Sequence, residues 1–177
     1  LTGTIDADYT LVEEVSYVLD GVVKVGNGNV EITSAAQMQD IQSAGVTLTI
    51  EPGVNVNANS DGVLLVTRGS KLMADAYAAK PITFSSAGDA NYAGTGEWGG
   101  IVIQGFAPQY GAGGTGACWV VGEDYCNVAG EGGDFVGMYG GNLPGDDSGI
   151  IRYVRMAEGG LIAGPNNEIN GLTLQGV

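Results

Sequence analysis

The chain has 177 residues, enough for one domain with a sizeable core, and its 44% hydrophobic and 15% charged content is not that of a disordered polymer. Twenty acidic residues against six basic ones give a net charge of −14, which argues against nucleic-acid or anionic-lipid partners, since those are bound by Lys and Arg that displace counterions. The lack of histidine, with only two cysteines, excludes a zinc site of the usual ligand set, and 32 glycines without a three-residue period imply many tight corners and not collagen.

Residues 1–11 mix Thr, Asp and Gly with isolated apolar positions and read as an extended lead-in or edge strand. No apolar stretch reaches the length of a membrane span, so no membrane insertion is expected, and the start at Leu1 without a signal-type segment suggests a mature or trimmed product. VSYVL at 15–19, the Asp20-Gly21 turn and VVKV at 22–25 read as strand, turn, strand, forming the first coil or its cap.

Residues 33–43 carry the helical signal. Ser34 caps them with Gln37 reaching back, Ala35, Met38 and Ile41 recur on one face, and Gly45 ends the run. Their place ahead of the regular strands predicts a short helix that caps the N-terminal end of the fold.

From residue 46 onward, short β-branched runs begin roughly every nine residues and close on Gly, Pro, Asn or Asp. They are VTLTI at 46–50, VNV at 54–56, VLLV at 63–66, LM at 72–73 and ITF at 82–84. That spacing leaves no room for a helix between strands, and the loops do not favour simple hairpins. A chain that coils solves both problems, with 46–50 stacked under 72–73 and 54–56 under 82–84. The prediction is an all-β fold, a right-handed three-sided parallel β-helix, with a short capping helix and a long Gly-rich insertion. One domain is expected: cap and first coil over 1–45, regular coils over 46–103, insertion over 104–144, and an open-ended C-terminal coil over 145–177.

Trp98, just before Gly99-Gly100 and the strand IVI at 101–103, either packs over the coil edge or lies open to a sugar. The insertion carries Cys118 and Cys126, for which a disulfide is expected, and with it an oxidising compartment; two free buried thiols are the alternative. Long insertions on rigid scaffolds tend to hold function. From 88 to 149 there are eight acidic residues and no basic one. Asp146, Asp147, Glu123 and Asp124 are the leading oxygen ligands for a Ca²⁺ ion, with Asp89, Asn91, Glu131 and Asp134 as further donors, although no spacing here is that of an EF-hand.

IIRYVRM at 150–156 breaks strand alternation, which predicts a bulge, and Arg152 and Arg155 are expected to pair with Asp146, Asp147 or Glu158. The last strand, with Gly171, Leu172, Thr173, Leu174 and Gln175, has no polar cap after it, so an edge for assembly is expected there.

Several phrases together carry a resemblance: YVLDGVVKVG at 17–26, TLTIEPGV at 47–54, WGGIVIQGFAP at 98–108, GDDSGIIRYVRM at 145–156 and NEINGLTLQGV at 167–177. They resemble a group of bacterial secreted or outer-surface proteins with parallel β-helix repeats, lipoprotein-like and of unknown function. The resemblance implies an exported protein, extracellular or on the outer cell surface, and supplies no catalytic or cofactor residues to carry over.

Two functions are weighed. The first is a structural cell-surface protein, stacking head to tail on itself or continued by downstream chain, with a filament as the product. The alternative is a carbohydrate-binding or polysaccharide-degrading β-helix, with Trp98, Trp119, Tyr110, Tyr125 and Tyr139 as sugar platforms. Adjacent residues on a strand point to opposite faces, so Asp146 and Asp147 suit a turn better than the two sides of a glycosidic bond. Catalysis is therefore weighed below a structural role.

Overall fold

The computed structural model describes residues 1–88, 91–108, 125–164 and 167–177. In the first coil β1 (Gly3–Ile5), β2 (Tyr9–Leu11) and β3 (Tyr17–Leu19) follow one another. The second holds β4 (Val22–Val25), the helix α1 (Ala35–Ser43), β5 (Thr47–Ile50) and β6 (Asn55–Ala58). The third holds β7 (Val63–Val66), β8 (Lys71–Asp75) and β9 (Ile82–Ser86). The fourth opens with β10 (Gly100–Gln104), passes through an antiparallel pair, β11 (Val128–Ala129) and β12 (Met138–Tyr139), and resumes at β13 (Gly149–Arg152) and β14 (Val154–Met156). A second antiparallel pair, β15 (Leu161–Gly164) and β16 (Asn167–Ile169), precedes β17 (Leu172–Gln175).

Every third rung joins the same sheet, and the long-range ladders are parallel. The orders are β1-β4-β7-β10-β17, β13-β8-β5-β2 and β14-β9-β6-β3. This is the arrangement of a parallel β-helix. The expected stacking is present in register, with Leu48 beside Leu72 and Val56 beside Phe84. Of the two readings of residues 1–11, the edge strand holds and the lead-in does not: β1 and β2 are the outermost strands of their sheets and two rungs of the first coil. The 15–19 and 22–25 segments do not pair with each other, because β3 lies on β6 and β4 lies between β1 and β7.

Alternation decides what fills the interior. One parity of each rung, including Val23, Leu48, Val56, Leu64, Leu72, Phe84 and Ile101, forms a single continuous core. β7 departs from alternation because all four of its residues are buried. Val63 and Leu65 face outward, but Val136 of the insertion and Ile169 of β16 cover them together with Val102. Sheets buried on both faces read as unbroken apolar runs, which is why VLLV lacks the polar half of the pattern.

The helix begins as expected, with Ser34 accepting from the Gln37 amide and the Gln37 side chain accepting from the Thr33 amide at 2.8 Å. Ala44 is its C-cap, and Gly45 beyond it passes so close to the next coil that a Cβ there would lie 1.8 Å from the Gly69 carbonyl oxygen. Its position corrects the capping expectation. α1 is an excursion between β4 and β5, and its buried Met38 packs with Ile32 and with Phe106, which follows β10 on the flank of the fourth coil.

The break in alternation at 150–156 is a corner and not a bulge. β13 belongs to one sheet and β14 to another, and Tyr153 turns the chain between them at φ 52°. A left-handed residue reverses side-chain phase without inserting one into a ladder. The periodicity is the same signal in either case.

Candidate functional site

The C-terminal end of the winding is where strand edges, apolar side chains and charge meet. Among the described residues β13, β14 and β17 are each the outermost strand of their sheet, pairing on one side with β8, β9 and β10. Leu72 donates its amide to the Ser148 carbonyl and Ala76 to that of Arg152, so even-numbered residues of β13 face β8 and the backbone of Ile151 faces outward. On β17 the Gly171 and Gln175 carbonyls accept from Ile101 and Gly105, which leaves the Leu174 backbone on the open side. The anticipated edge residues Gly171 to Gln175 therefore form a strand that is paired on one side among the described residues.

A cleft of about 300 Å³ opens between these strands, lined by Leu72, Ile103, Ile151, Leu174 and Val177 with Asp146 at its rim. Leu72 and Ile103 belong to the main core, so the cleft looks straight into the interior. Leu174, in register with buried Ile103, is 57% exposed, and Ile151, in register with buried Ala74, is 37% exposed. Their exposure follows from position: among the described residues no layer lies above these inward-facing side chains.

Of the four leading acidic candidates, Asp146 and Asp147 are among the described residues. Asp147 forms an ion pair with Lys71, Nζ to Oδ2 at 2.6 Å, and accepts from the Gly149 amide at 3.0 Å. The Lys71 hydrogen bond, then that amide and the Lys71 charge, hold the Asp147 carboxyl below its ordinary value. Asp146 accepts from the Ser148 hydroxyl at 2.8 Å. Glu123 and Asp124 lie outside the described residues. Among the described residues no group of three or more acidic or sulfur ligands comes together, and Asp146 and Asp147 do not supply the six to eight oxygens that Ca²⁺ takes.

The arginine pairing is corrected as well. Arg152 Nε reaches Asp75 on the coil below, and the Arg155 guanidinium lies 4.7 Å above the Tyr92 ring. Glu158 is buried and accepts from the amides of Ser86 and Ala93, each at 3.0 Å. Cations here tie one coil to its neighbour because their own strand places them beside it.

Two of the aromatic sugar platforms are consumed by packing. Trp98 is fully buried, its ring 6.3 Å from that of Phe84 and its Nε1 donating to the Ala157 carbonyl at 2.7 Å. Tyr139 is buried, and Tyr125 donates its hydroxyl to the Thr33 carbonyl at 2.8 Å. Trp119 and Tyr110 lie outside the described residues, as does Cys118, so the expected Cys118–Cys126 disulfide falls outside them too.

Sequence reasoning missed Arg68. It sits in the corner between β7 and β8, fully buried, and donates to the backbone carbonyls of Gly28, Val30, Cys126 and Gly140. Asn127 Oδ1 lies 3.4 Å from its guanidinium and the Phe106 ring 5.8 Å away. Burial lowers its pKa to about 10, so it remains a cation at neutral pH. One side chain thus fastens the excursion that contains α1 to the insertion that contains β11 and β12. The available signal was an arginine at the end of an otherwise uncharged apolar run.

A family model for a pectate-lyase like beta helix domain matches residues 3–177. No curated protein and no solved structure matches the chain.

Proposed function

The chain belongs to the pectate-lyase like beta helix family, and from that premise we propose that it is a structural module of the outer cell surface or extracellular space, assembled end to end through its C-terminal coil. In this reading the three parallel sheets are the sides of one right-handed solenoid. The observation that carries it is the exposed last layer. Ile151 and Leu174, core positions by register, stand at the rim of a cleft into the interior, beside strand edges whose donors and acceptors another strand would satisfy. The family description keeps a polysaccharide-related role as a second reading. Against it stands the burial of Trp98 and Tyr139, which removes two of the residues best suited to stacking on a sugar.

Calcium at Asp146, Asp147, Glu123 and Asp124 and a Cys118–Cys126 disulfide belong to the same proposal. A calcium-dependent melting temperature tests the first, and alkylation of the unreduced protein tests the second. The main test is electron microscopy of concentrated purified protein. Filaments support end-to-end assembly, and a monodisperse monomer in light scattering at the same concentration removes it.

A further inference from the structure

The sequence holds two Asn-Gly pairs, Asn27-Gly28 and Asn170-Gly171. In such a pair the backbone nitrogen of the glycine can attack the side-chain amide carbon of the asparagine, because no Cβ shields that nitrogen or restricts its turning. The fold treats the two pairs in opposite ways.

At Asn27 the attack is blocked. Gly28 is buried, its amide donates to Thr67 Oγ1 at 2.9 Å, and its carbonyl accepts from Arg68 Nε at 2.9 Å. Backbone crowds it as well, since an added Cβ would lie 2.1 Å from the Arg68 carbonyl oxygen. Ring closure there would remove a buried donor from Thr67 and turn a peptide that has no room to turn.

At Asn170 both reacting groups are free. Asn170 is exposed in the corner between β16 and β17, and neither its side chain nor the Gly171 amide has a hydrogen-bond partner among the described residues. No atom lies within 4 Å of where a Gly171 Cβ would stand. Ring closure therefore costs no hydrogen bond. The carbonyls, by contrast, are held. Gly171 accepts from the Ile101 amide at 3.0 Å, and an added Cβ on buried Gly100 would lie 2.4 Å from the Asn170 carbonyl oxygen.

We propose that Asn170 is a site of spontaneous covalent modification, in which attack by the Gly171 nitrogen yields a succinimide that opens to aspartate or isoaspartate, the latter loosening β17 from β10. The bond from the Gly171 nitrogen to Asn170 Cγ forms as the Cγ–Nδ2 bond breaks, and the Gly171 proton leaves with the departing ammonia. Water then adds to one of the two imide carbonyls. Breaking the new bond restores the ordinary backbone with a carboxylate side chain. Breaking the bond to the main-chain carbonyl carbon routes the chain through Cβ, one methylene longer. In that product the carbonyl packed against Gly100 becomes a carboxylate, and the added length displaces Gly171 from Ile101, where the β10–β17 ladder begins. The modification needs no partner molecule and stands apart from end-to-end assembly.

The test is peptide mapping by mass spectrometry of the full chain, held at mildly alkaline pH and sampled over weeks, with a urea-unfolded sample in parallel. In the folded chain Asn170 should convert at a rate comparable to that in urea and give both products. Asn27 should be slowed by folding at least about tenfold, because it reacts only from locally opened forms. Equal slowing at both sites, or an Asn170 that converts in urea and not in the fold, overturns the proposal. Gly171→Ala places its Cβ in open space, so it should keep the parental melting temperature while conversion of Asn170 stops on the same timescale. Conversion as fast as in the parent overturns the assigned nucleophile. Hydrogen exchange reads the consequence: the Ile101 amide and residues 172–175 should exchange faster in aged parent protein and not in aged Gly171→Ala. Unchanged exchange in a sample rich in isoaspartate overturns the loosening of β17.

Discussion

Lys80 and Glu13 join the third coil to the first, Nζ to Oε2 at 2.6 Å across a separation of 67 residues. The pair passes over Gly53 of the intervening coil, where an added Cβ would lie 2.6 Å from Glu13 Oε1. Glu13 and its hydrogen bond, and the negative charge around it, raise the Lys80 pKa. A raised lysine contributes stability that is full below its ordinary value of 10.5 and is lost as pH rises through the folded value. Both side chains are exposed, so the effect is one of local order.

Gly53 is expected to tolerate no side chain. Its φ of 92° is one that L residues rarely adopt, and the strap closes off the space above it. Gly53→Ala should lower stability by about 1–2 kcal/mol in urea denaturation, from the backbone alone. Combining it with Glu13→Ala, which clears the contact, should leave most of that loss in place. Full recovery would show the steric contact, and not φ, to be decisive.

Arg68 is expected to be the most sensitive polar residue. Arg68→Met leaves carbonyls at Gly28, Val30, Cys126 and Gly140 without their donor, and unpaired buried acceptors cost roughly 1–3 kcal/mol each when water cannot reach them. A loss of about 3 kcal/mol or more is expected. Arg68→Lys should recover little, since three donors on one nitrogen do not reproduce a planar fork. Hydrogen exchange should rise together in residues 28–30 and 126–140, two segments far apart in sequence. Exchange confined to one of them would contradict the role of a fastener.

Trp98→Ala removes a fully buried indole from the contact with Phe84 and should cost about 3–5 kcal/mol. Trp98→Phe should cost less but leaves the Ala157 carbonyl without its donor. Binding to soluble polysaccharides, measured by calorimetry, should show no dependence on Trp98 beyond that loss of stability.

Tyr153 offers a stabilising change. It is 55% exposed and holds φ at 52°, so Tyr153→Gly should forfeit little burial and relieve roughly 1 kcal/mol of backbone strain. Thermal unfolding should show a small rise in melting temperature. A fall of several degrees would show that the exposed ring packs on something that matters.

Asp147 provides the acid-side prediction. Its carboxyl titrates below 3.8 in the folded chain because Lys71 and the Gly149 amide stabilise the anion. A depressed carboxyl contributes order that is present above its ordinary value and disappears as pH falls through the folded value. Nuclear magnetic resonance titration should find the Asp147 midpoint below that of an unperturbed aspartate. Lys71→Met should move it upward part of the way, because the Gly149 amide remains.

The rungs were legible in the chain because their signal is local. Alternation in TLTI and the run of Gly, Pro and Asn at its corners report one strand at a time, and the roughly nine-residue spacing is enough to infer which strand lies above which. The first coil was less legible, since Thr4, Asp6 and Thr10 interrupt its apolar positions. The reversal at Tyr153 was visible as a break, but a corner and a bulge interrupt alternation in the same way. Of the open-end site, the strand at 172–175 was readable, whereas its companions Ile150 and Ile151 were taken for part of an irregular rung.

From the order of its residues alone, this protein was determined to be a stack of short parallel rungs, acidic, with an insertion after the strand at 101–103. Only the tertiary structure decided that the insertion turns back to bury Val63 and Leu65, that α1 leaves the axis for the flank, that Arg152 bonds to Asp75, and that Arg68 holds two excursions together. The reason is one of range. A rung's hydrophobic phase is written in its own few residues, but a buried cation's acceptors stand 38 to 72 positions away and are fixed only when the coils have stacked.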